Sequence, residues 1–202
     1  MNTISSVCRE NLDRARELLL TLSLYYRQTL ENEQYMIRLS TELYQVMNYL
    51  KLEQARFEEK LAVEFDIEEE LDCVLPSFIL QPLVENAVFH GLEQKLEDGE
   101  VNVFIHMHGE DHIMFVVEDN GCGIEPARLV WMRDNLDSRP TGQKGIGVAN
   151  IYQRLKLFYG DDVVFQIESR LGEGTRITGF FSRQSSEIEL APAREIIRSA
   201  AA

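Results

Sequence analysis

The sequence has little cysteine, proline or glycine, and it lacks any long hydrophobic run. Its three cysteines, Cys8, Cys73 and Cys122, are far apart and form no Cys-x-x-Cys pair, so neither a disulfide framework nor a zinc site is expected. With 5 Pro and 12 Gly, the composition is that of a folded globular protein. No stretch approaches the ~18 apolar residues of a membrane span, and the polar start shows no signal peptide. We therefore expect this stretch of chain to be soluble, in a reducing cytoplasm.

Positive charge is also scarce. The chain has 20 Lys and Arg against 34 Asp and Glu, which gives a net charge of −14. Most of the excess lies after residue 60, where 25 acidic residues face 12 basic ones. Such a surface repels the phosphates of nucleic acids and anionic lipids, so no nucleic-acid partner is expected. A local phosphate site built from backbone N–H groups remains compatible with this charge.

Two amphipathic helices are predicted at the start of the chain, over residues 4–30 and 39–61. The apolar stripe of the first consists of Ile4, Val7, Leu12, Ala15, Leu19, Leu22, Tyr26 and Leu30. The stripe of the second consists of Leu39, Leu43, Val46, Leu50, Phe57 and Leu61. Ser40 is the expected N-cap of the second helix, and Glu42 stands in its first turn, where the helix dipole favours an acid.

The short polar link between these helices, residues 31–33, predicts an antiparallel hairpin. Two helices cannot enclose a core alone, so their apolar stripes need a partner. Pairing of two copies into a four-helix bundle is the favoured arrangement. Packing on the rest of the same chain is the alternative.

After residue 61, short β-rich runs are interspersed with helices. Strand patterns cover residues 62–67, 101–108, 113–118, 163–169 and 175–181, and helix patterns cover residues 77–90, 126–135 and 146–159. Within the first of these helices, Pro82 is expected to begin a new segment or to kink the old one, and Gly91 is expected to end it.

This order predicts an α+β fold, a two-layer α/β sandwich whose mixed, mostly antiparallel sheet carries helices on one face. We expect three regions: a helical hairpin over residues 1–60, a globular domain over residues 61–183, and a tail of uncertain structure over residues 184–202.

Two segments carry polar side chains suited to binding a nucleotide. Asn86 and His90 are four residues apart, so they share one helix face, and both can reach a metal or phosphate oxygen without adding negative charge. Asp119 follows an apolar strand and can accept a hydrogen bond from an amino group such as that of adenine. Gly121 and Gly123 would let the backbone approach a flat ring.

A glycine-rich segment, residues 142–150, opens the last predicted helix. Backbone N–H groups at a helix start attract phosphate, and Lys144 adds a positive charge. The P-loop pattern fails because Gly145 follows Lys144, and the dinucleotide pattern fails because Asn150 replaces its third glycine. Each of these segments, taken alone, is also compatible with an ordinary turn or an amphipathic helix.

The order of the segments is specific. Asn86 on a helix, Asp119-x-Gly121-x-Gly123 after a strand, Gly145-x-Gly147, and Gly174-Thr175 before the last strand resemble the nucleotide-binding fold shared by gyrase, the ninety-kilodalton heat-shock chaperones, histidine kinases and MutL. This is the Bergerat-type fold of the GHKL superfamily, and the resemblance covers about residues 61–183.

The resemblance implies a role for each site residue. Asn86 would ligate the Mg²⁺ that bridges the ATP phosphates, Asp119 would bind the adenine amino group, and Thr175 would support it. Lys144 and the backbone of Gly145 and Gly147 would contact the phosphates. His90 is a further candidate for phosphate contact, Gly121 and Gly123 would line the base, and Glu85 would orient or activate an acceptor imidazole.

Finer features resemble sensor histidine kinases of the LytS type. These are residues 80–91, Leu-Gln-Pro-Leu-Val-Glu-Asn-Ala-Val-Phe-His-Gly, together with residues 49–57 and 145–155. Members of the superfamily that hydrolyse ATP carry a general-base Glu four residues before the Asn, and here that position is Pro82. Transfer of phosphate to a protein side chain is therefore favoured over hydrolysis.

The four histidines are His90, His106, His108 and His112, and none lies on the predicted hairpin. Kinases of this type carry their phosphoacceptor upstream of a segment like Asn2-Thr3-Ile4. We therefore interpret the chain as a fragment that binds ATP and Mg²⁺ but cannot label itself. The resemblance implies a longer, membrane-anchored homodimeric kinase with this part in the cytoplasm, and a response regulator as its partner.

Two other functions stay open. One is an ATP-hydrolysing conformational machine of the same fold, against which Pro82 argues. The other is a non-enzymatic module for dimerisation and nucleotide binding. Steady ATP turnover would mark the first, and a folded dimer that nucleotide does not stabilise would mark a module whose pocket is vestigial.

Overall fold

The computed structural model describes residues 7–8, 11–31, 35–57, 60–69, 71, 73–92, 99–138 and 146–183. Its α-helices are α1 (Leu12–Glu31), α2 (Leu39–Arg56), α3 (Leu80–Asn86), α4 (Pro126–Asp134) and α5 (Ile146–Tyr159). A π-helix, Ala87–Leu92, continues α3, and a 3-10 turn, Gly160–Asp162, follows α5. The strands are β1 (Met36–Arg38), β2 (Leu61–Ile67), β3 (Val74–Pro76), β4 (Gly99–His108), β5 (His112–Asp119), β6 (Val164–Arg170) and β7 (Gly174–Ser182).

Five strands form the main sheet, in the order β2-β4-β5-β7-β6. Only β2 and β4 run parallel, and the other neighbours are antiparallel. The helices α3, α4 and α5 cover one face of this sheet, with a core that includes Leu83, Phe115 and Leu155. The predicted α+β sandwich is therefore confirmed.

A second, two-stranded sheet joins β1 to β3 in antiparallel register, with Ile37 opposite Leu75. Neither strand is predicted from the sequence, because three residues are too short to display the alternation of a strand. β1 lies between the two hairpin helices, so this small sheet attaches the hairpin to the domain that follows residue 60.

The helical hairpin packs on the same chain through α2. Leu39, Val46 and Leu50 of the predicted second stripe are buried in the core that also contains α3 and the main sheet. The core therefore includes residues from both sides of residue 60. This packing is the alternative to the predicted pairing of two copies, and it covers the α2 stripe without a second copy.

The predicted stripe of α1 is wrong in part. Among the side chains of α1 that the structure describes, Ala15, Leu18 and Thr21 are buried, whereas Leu12, Leu19 and Tyr26 of the predicted stripe are exposed. Two large apolar side chains of α1 outside the predicted stripe, Leu20 and Leu24, are also exposed. The regular spacing of leucine around this helix produces two apolar faces, and α2 covers only one of them.

Glu42 binds the start of a helix other than its own, a contact that the sequence does not predict. The side chain of Ser40 does not cap α2, whose N-cap is Arg38. Glu42 is fully buried, and its Oε1 accepts hydrogen bonds from the backbone N–H groups of Ile79 (2.6 Å), Leu80 (2.6 Å) and Gln81 (3.3 Å). The next residue of α3, Pro82, has no N–H. One carboxylate of α2 therefore satisfies the free donors at the start of α3.

The helix predicted over residues 77–90 begins later and ends differently. Phe78 adopts a positive φ of 62°, so residues 77–79 form a bend and α3 starts at Leu80. Gly91 does not end the helix, because the chain continues through it as a π-helix to Leu92. The helices predicted over residues 126–135 and 146–159 and the five predicted strands agree with the observed bounds to within two residues. The helix predicted over residues 39–61 ends at Arg56, and the predicted start of the first helix at residue 4 lies outside the described residues.

Candidate functional site

A cavity of about 470 Å³ opens between the π-helix, the ends of β5 and β7, and the helices α4 and α5. Its volume is in the range of small-molecule sites. Six of the predicted site residues line it: Asn86, His90, Asp119, Gly123, Gly147 and Thr175. These positions span ninety residues of sequence, and the fold brings them to one place.

Asp119 lies in the wall of the cavity, at the end of β5. Its side chain is only 7% exposed, and the backbone N–H of Gly121 donates to its Oδ1 at 2.8 Å. Thr175 stands directly opposite it on β7. A buried carboxylate with one oxygen oriented by the backbone can offer its other oxygen to an amino group of a ligand.

The glycine loop after Asp119 is packed too closely for any other residue. A Cβ on Gly121 would lie 2.2 Å from the carbonyl oxygen of Gly91, and a Cβ on Gly123 would lie 2.0 Å from that of Arg170. Gly123 also has a positive φ of 67°. The carbonyl of Gly91 accepts from the N–H of Cys122 at 2.8 Å, so the loop is held against the π-helix.

Gly91, on the other side of this contact, also has no room for a side chain. A Cβ at Gly91 would lie 2.6 Å from Oδ1 of Asp119. The glycine therefore makes room for the carboxylate and for the loop, rather than ending the helix.

Asn86 ends α3 and faces the start of α5. A Cβ on Gly147 would lie 3.4 Å from Nδ2 of Asn86, so the glycine lets the two helices approach at the cavity. Within the described ranges, no hydrogen bond engages the Asn86 carboxamide. Its oxygen is the kind of neutral ligand that Mg²⁺ accepts beside phosphate oxygens and water.

A serine that sequence reasoning missed supports Thr175. The Ser169 hydroxyl donates to the carbonyl of Gly174 at 2.7 Å and accepts from the N–H of Ile124 at 2.8 Å. It lies 3.1 Å from Oγ1 of Thr175. Because the Ser169 hydroxyl proton is already donated to the carbonyl of Gly174, the Thr175 hydroxyl is the donor in this pair. The lone pairs of Thr175 Oγ1 stay available to accept a hydrogen bond.

The rim of the cavity holds the remaining polar groups. His90 is exposed and stacks edge-on against Phe89 at 4.9 Å. Arg128 of α4 and Cys122 also line the cavity, and no motif in the sequence predicts a role there for either. Lys144 and Gly145 lie outside the described residues, so their predicted phosphate contacts stay predictions.

Glu85 is separated from this cavity, although it precedes Asn86 directly. Its side chain lies on the opposite side of α3, toward the hairpin. Its Oε1 accepts hydrogen bonds from the Tyr25 hydroxyl of α1 at 3.1 Å and from Nε2 of Gln81 at 2.8 Å. Burial and the adjacent Glu85 carboxylate raise the pKa of Tyr25 to about 12, so the phenol remains a donor at neutral pH.

These features define a class of protein. Residues 74–185 match the model of the histidine kinase-, DNA gyrase B-, and HSP90-like ATPases, and residues 1–61 match a histidine kinase model. The chain belongs to this ATPase family. The fold is also similar to that of a solved structure: a mycobacterial sensor histidine kinase, MprB, matches with a TM-score of 0.53 at 17% identity, over 75% of this chain and 98% of that one.

Among named relatives, the chain is similar to the sensor protein LytS of Bacillus cereus, with 42% identity over 193 residues and 94% of this chain. It is also similar to the sensor histidine kinase YpdA of Escherichia coli, with 38% identity over 189 residues and 93% of this chain. In both cases the chain spans 32% of the relative's length. The predicted resemblance to LytS-type kinases is confirmed.

Proposed function

We propose that this chain is the ATP-binding part of a two-component sensor histidine kinase. The observation that carries the proposal is the single cavity into which Asn86, Asp119, Gly147 and Thr175 converge. Asp119 would accept a hydrogen bond from the adenine amino group, with Thr175 beside it. Gly121 and Gly123, which carry no side chains, would let the backbone lie close to the face of the base.

The phosphates would lie toward the start of α5. The backbone N–H groups around Gly145 and Gly147 and the ammonium of Lys144 would hold them, since a helix N-terminus attracts anions. Asn86, whose carboxamide lies beside Gly147, would ligate Mg²⁺ through its oxygen. The ion would offset the phosphate charge when bound. His90 at the rim would contact a phosphate oxygen.

The intact enzyme would transfer the γ-phosphoryl group to a histidine that precedes the helical hairpin in the longer protein. A nitrogen lone pair of the imidazole would form the N–P bond as the bond between the γ-phosphorus and the bridging oxygen breaks. ADP would leave, and the proton on the other ring nitrogen of the imidazole would pass to Glu85 or to solvent. Glu85 is the candidate to orient that imidazole, because an N–H at the far ring nitrogen can donate to a carboxylate.

The proposed kinase would have two protein partners, a response regulator and a second copy of itself. A response-regulator aspartate would receive the phosphoryl group from the histidine. The exposed leucines of α1, Leu12, Leu19, Leu20 and Leu24, would form the interface of a homodimer. Anchoring to the cell membrane would come from other segments of the longer protein, with this part in the cytoplasm; no described helix of this chain is long and apolar enough to span a bilayer.

Labelling with ATP that is radioactive at the γ position tests the proposal. The 202-residue chain should bind ATP but take up no label, because its histidines all lie outside the hairpin. A longer chain that includes the upstream histidine should take up acid-labile label and pass it to a response regulator. Steady release of phosphate without labelling would instead favour an ATP-hydrolysing machine, and failure to bind ATP would favour a non-enzymatic module.

A further inference from the structure

Three side chains stand in a row across neighbouring strands at one end of the cavity. Asp119 of β5 is opposite Thr175 of β7, and Thr175 is in turn opposite Ser169 of β6. Directly opposite residues of an antiparallel sheet share one face, so the three side chains lie side by side. Asp119 and Thr175 line the cavity, whereas Ser169 is not among the described residues that line it. Ser169 can therefore act on a ligand only through the residues that it holds.

The Ser169 hydroxyl uses all of its hydrogen-bonding capacity. Its proton is donated to the carbonyl of Gly174 at 2.7 Å, and its oxygen accepts from the N–H of Ile124 at 2.8 Å. A hydroxyl has one proton and two lone pairs, so the contact with Oγ1 of Thr175 at 3.1 Å uses the second lone pair. The Thr175 proton consequently points toward Ser169, and Thr175 can offer a ligand only lone pairs.

Asp119 and Thr175 thus present two neighbouring acceptors to a ligand, because an ionised carboxylate also accepts only. The 6-amino group of adenine has two N–H bonds, one for each acceptor. Hypoxanthine, the base of ITP, carries a carbonyl oxygen at the same position and a proton on N1. Asp119 could accept that N1–H, but the carbonyl oxygen would face the lone pairs of Thr175 with no proton between them.

We propose that Ser169 is a positioning residue that sets base specificity: it holds the Thr175 hydroxyl as an acceptor, which favours a 6-amino purine over a 6-oxo purine. The inference rests on the proposed function, because it takes adenine as the base beside Asp119. A hydroxyl that cannot turn leaves the oxygen of a 6-oxo purine unpaired, which is costly in a closed site. A hydroxyl that is free to turn accommodates both bases, since it can accept from an amino group or donate to a carbonyl.

Ser169→Ala removes the oxygen that holds the Thr175 proton, and calorimetric titration of the 202-residue chain with Mg·ATP and Mg·ITP measures the result. The unmodified chain should prefer ATP by about tenfold or more, the cost of one unpaired polar group. In Ser169→Ala, ITP should bind about three- to tenfold more tightly than it binds the unmodified chain, the value of one new hydrogen bond. A merely structural role for Ser169 would weaken both nucleotides, so a gain in ITP affinity identifies the positioning role.

Three further variants control for disturbance of the fold. Ser169→Thr retains a hydroxyl and should keep the ATP preference of the unmodified chain. Thr175→Val removes the group through which Ser169 acts, so adding Ser169→Ala in that background should not change the ratio of ATP to ITP affinity further. Ser182→Ala is the matched control, because Ser182 lies at the other end of β7 and does not line the cavity; both affinities should stay unchanged.

The two nucleotides separate failure of this inference from failure of the proposed function. Parallel losses of ATP and ITP affinity in Ser169→Ala, or equal affinities in the unmodified chain, would overturn the inference and leave ATP binding intact. A change in the ratio that persists in the Thr175→Val background would also overturn it. If the unmodified chain binds neither nucleotide, the proposed function is refuted and the inference with it.

Discussion

Replacement of Glu42 by Gln should change how the stability of the protein depends on pH. Glu42 is fully buried, and its second oxygen, Oε2, has no hydrogen-bond partner among the described residues. Burial raises the pKa of Glu42 from 4.5 to about 7, although the hydrogen bonds from the N–H groups of Leu80, Gln81 and Ile79 lower it in part. Gln keeps a carbonyl oxygen for these N–H groups but does not titrate.

The sign follows from the raised pKa. The folded protein holds the Glu42 proton more tightly than the unfolded chain does, so the contribution to stability is complete below about pH 4.5 and is lost as the pH rises through about 7. At about 1.4 kcal/mol for each pH unit between the two pKa values, the whole effect is about 3 kcal/mol. About 2 kcal/mol of it falls between pH 5.5 and 8.

Urea unfolding of both proteins across pH 5.5 to 8 measures this effect. The stability of the unmodified protein relative to Glu42→Gln should fall by about 2 kcal/mol over that range, because the titrations of all other groups cancel in the difference. Glu64→Gln, on an exposed position of β2, controls for the loss of one negative charge. A stability difference that stays constant with pH, or that changes in the opposite direction, would refute the raised pKa of the buried Glu42 carboxyl group.

Two further predictions concern the cavity. Asn86→Ala should bring the ATP affinity measured with Mg²⁺ down to the value measured with a chelator, because the metal loses its protein ligand; a persistent Mg²⁺ effect in calorimetric titration would contradict this role. Gly121→Ala should lower the free energy of unfolding by about 2 kcal/mol or more, since its Cβ would overlap the Gly91 carbonyl; unchanged denaturant midpoints would show that the loop can move aside.

Much of the main domain is predictable from the sequence because its elements are long and periodic. α5 begins at Ile146 and ends at Tyr159 as predicted, and β5 and β7 agree closely with their alternating patterns. The convergence of Asn86, Asp119 and Thr175 on one cavity also agrees with the order of the motifs. The patterns that predict these helices and strands are local in sequence, and the family resemblance predicts how they are arranged.

What the sequence could not reveal depends on contacts between distant residues. Glu42 has the pattern of an acid at the start of its own helix, yet its buried oxygen serves a helix that begins 38 residues later. Gly91 has the pattern of a helix stop, yet it makes room for Asp119. Glu85 and Asn86 are adjacent, but a helix turns successive side chains about 100° apart, so one faces the hairpin and the other the cavity.

Binding of ATP through Asp119 is the central claim, and nucleotide titration of the unmodified chain and Asp119→Asn tests it most directly. In the variant, the N–H of Gly121 retains the amide oxygen, so the NH₂ group faces the adenine amino group, donor against donor. Loss of a hydrogen bond to a charged group costs about 1.5–3 kcal/mol, or roughly a ten- to hundredfold weaker affinity. We predict that Mg·ATP raises the melting temperature of the unmodified chain and leaves that of Asp119→Asn nearly unchanged. Equal ATP affinities for the two proteins, or no response from either, would contradict the account.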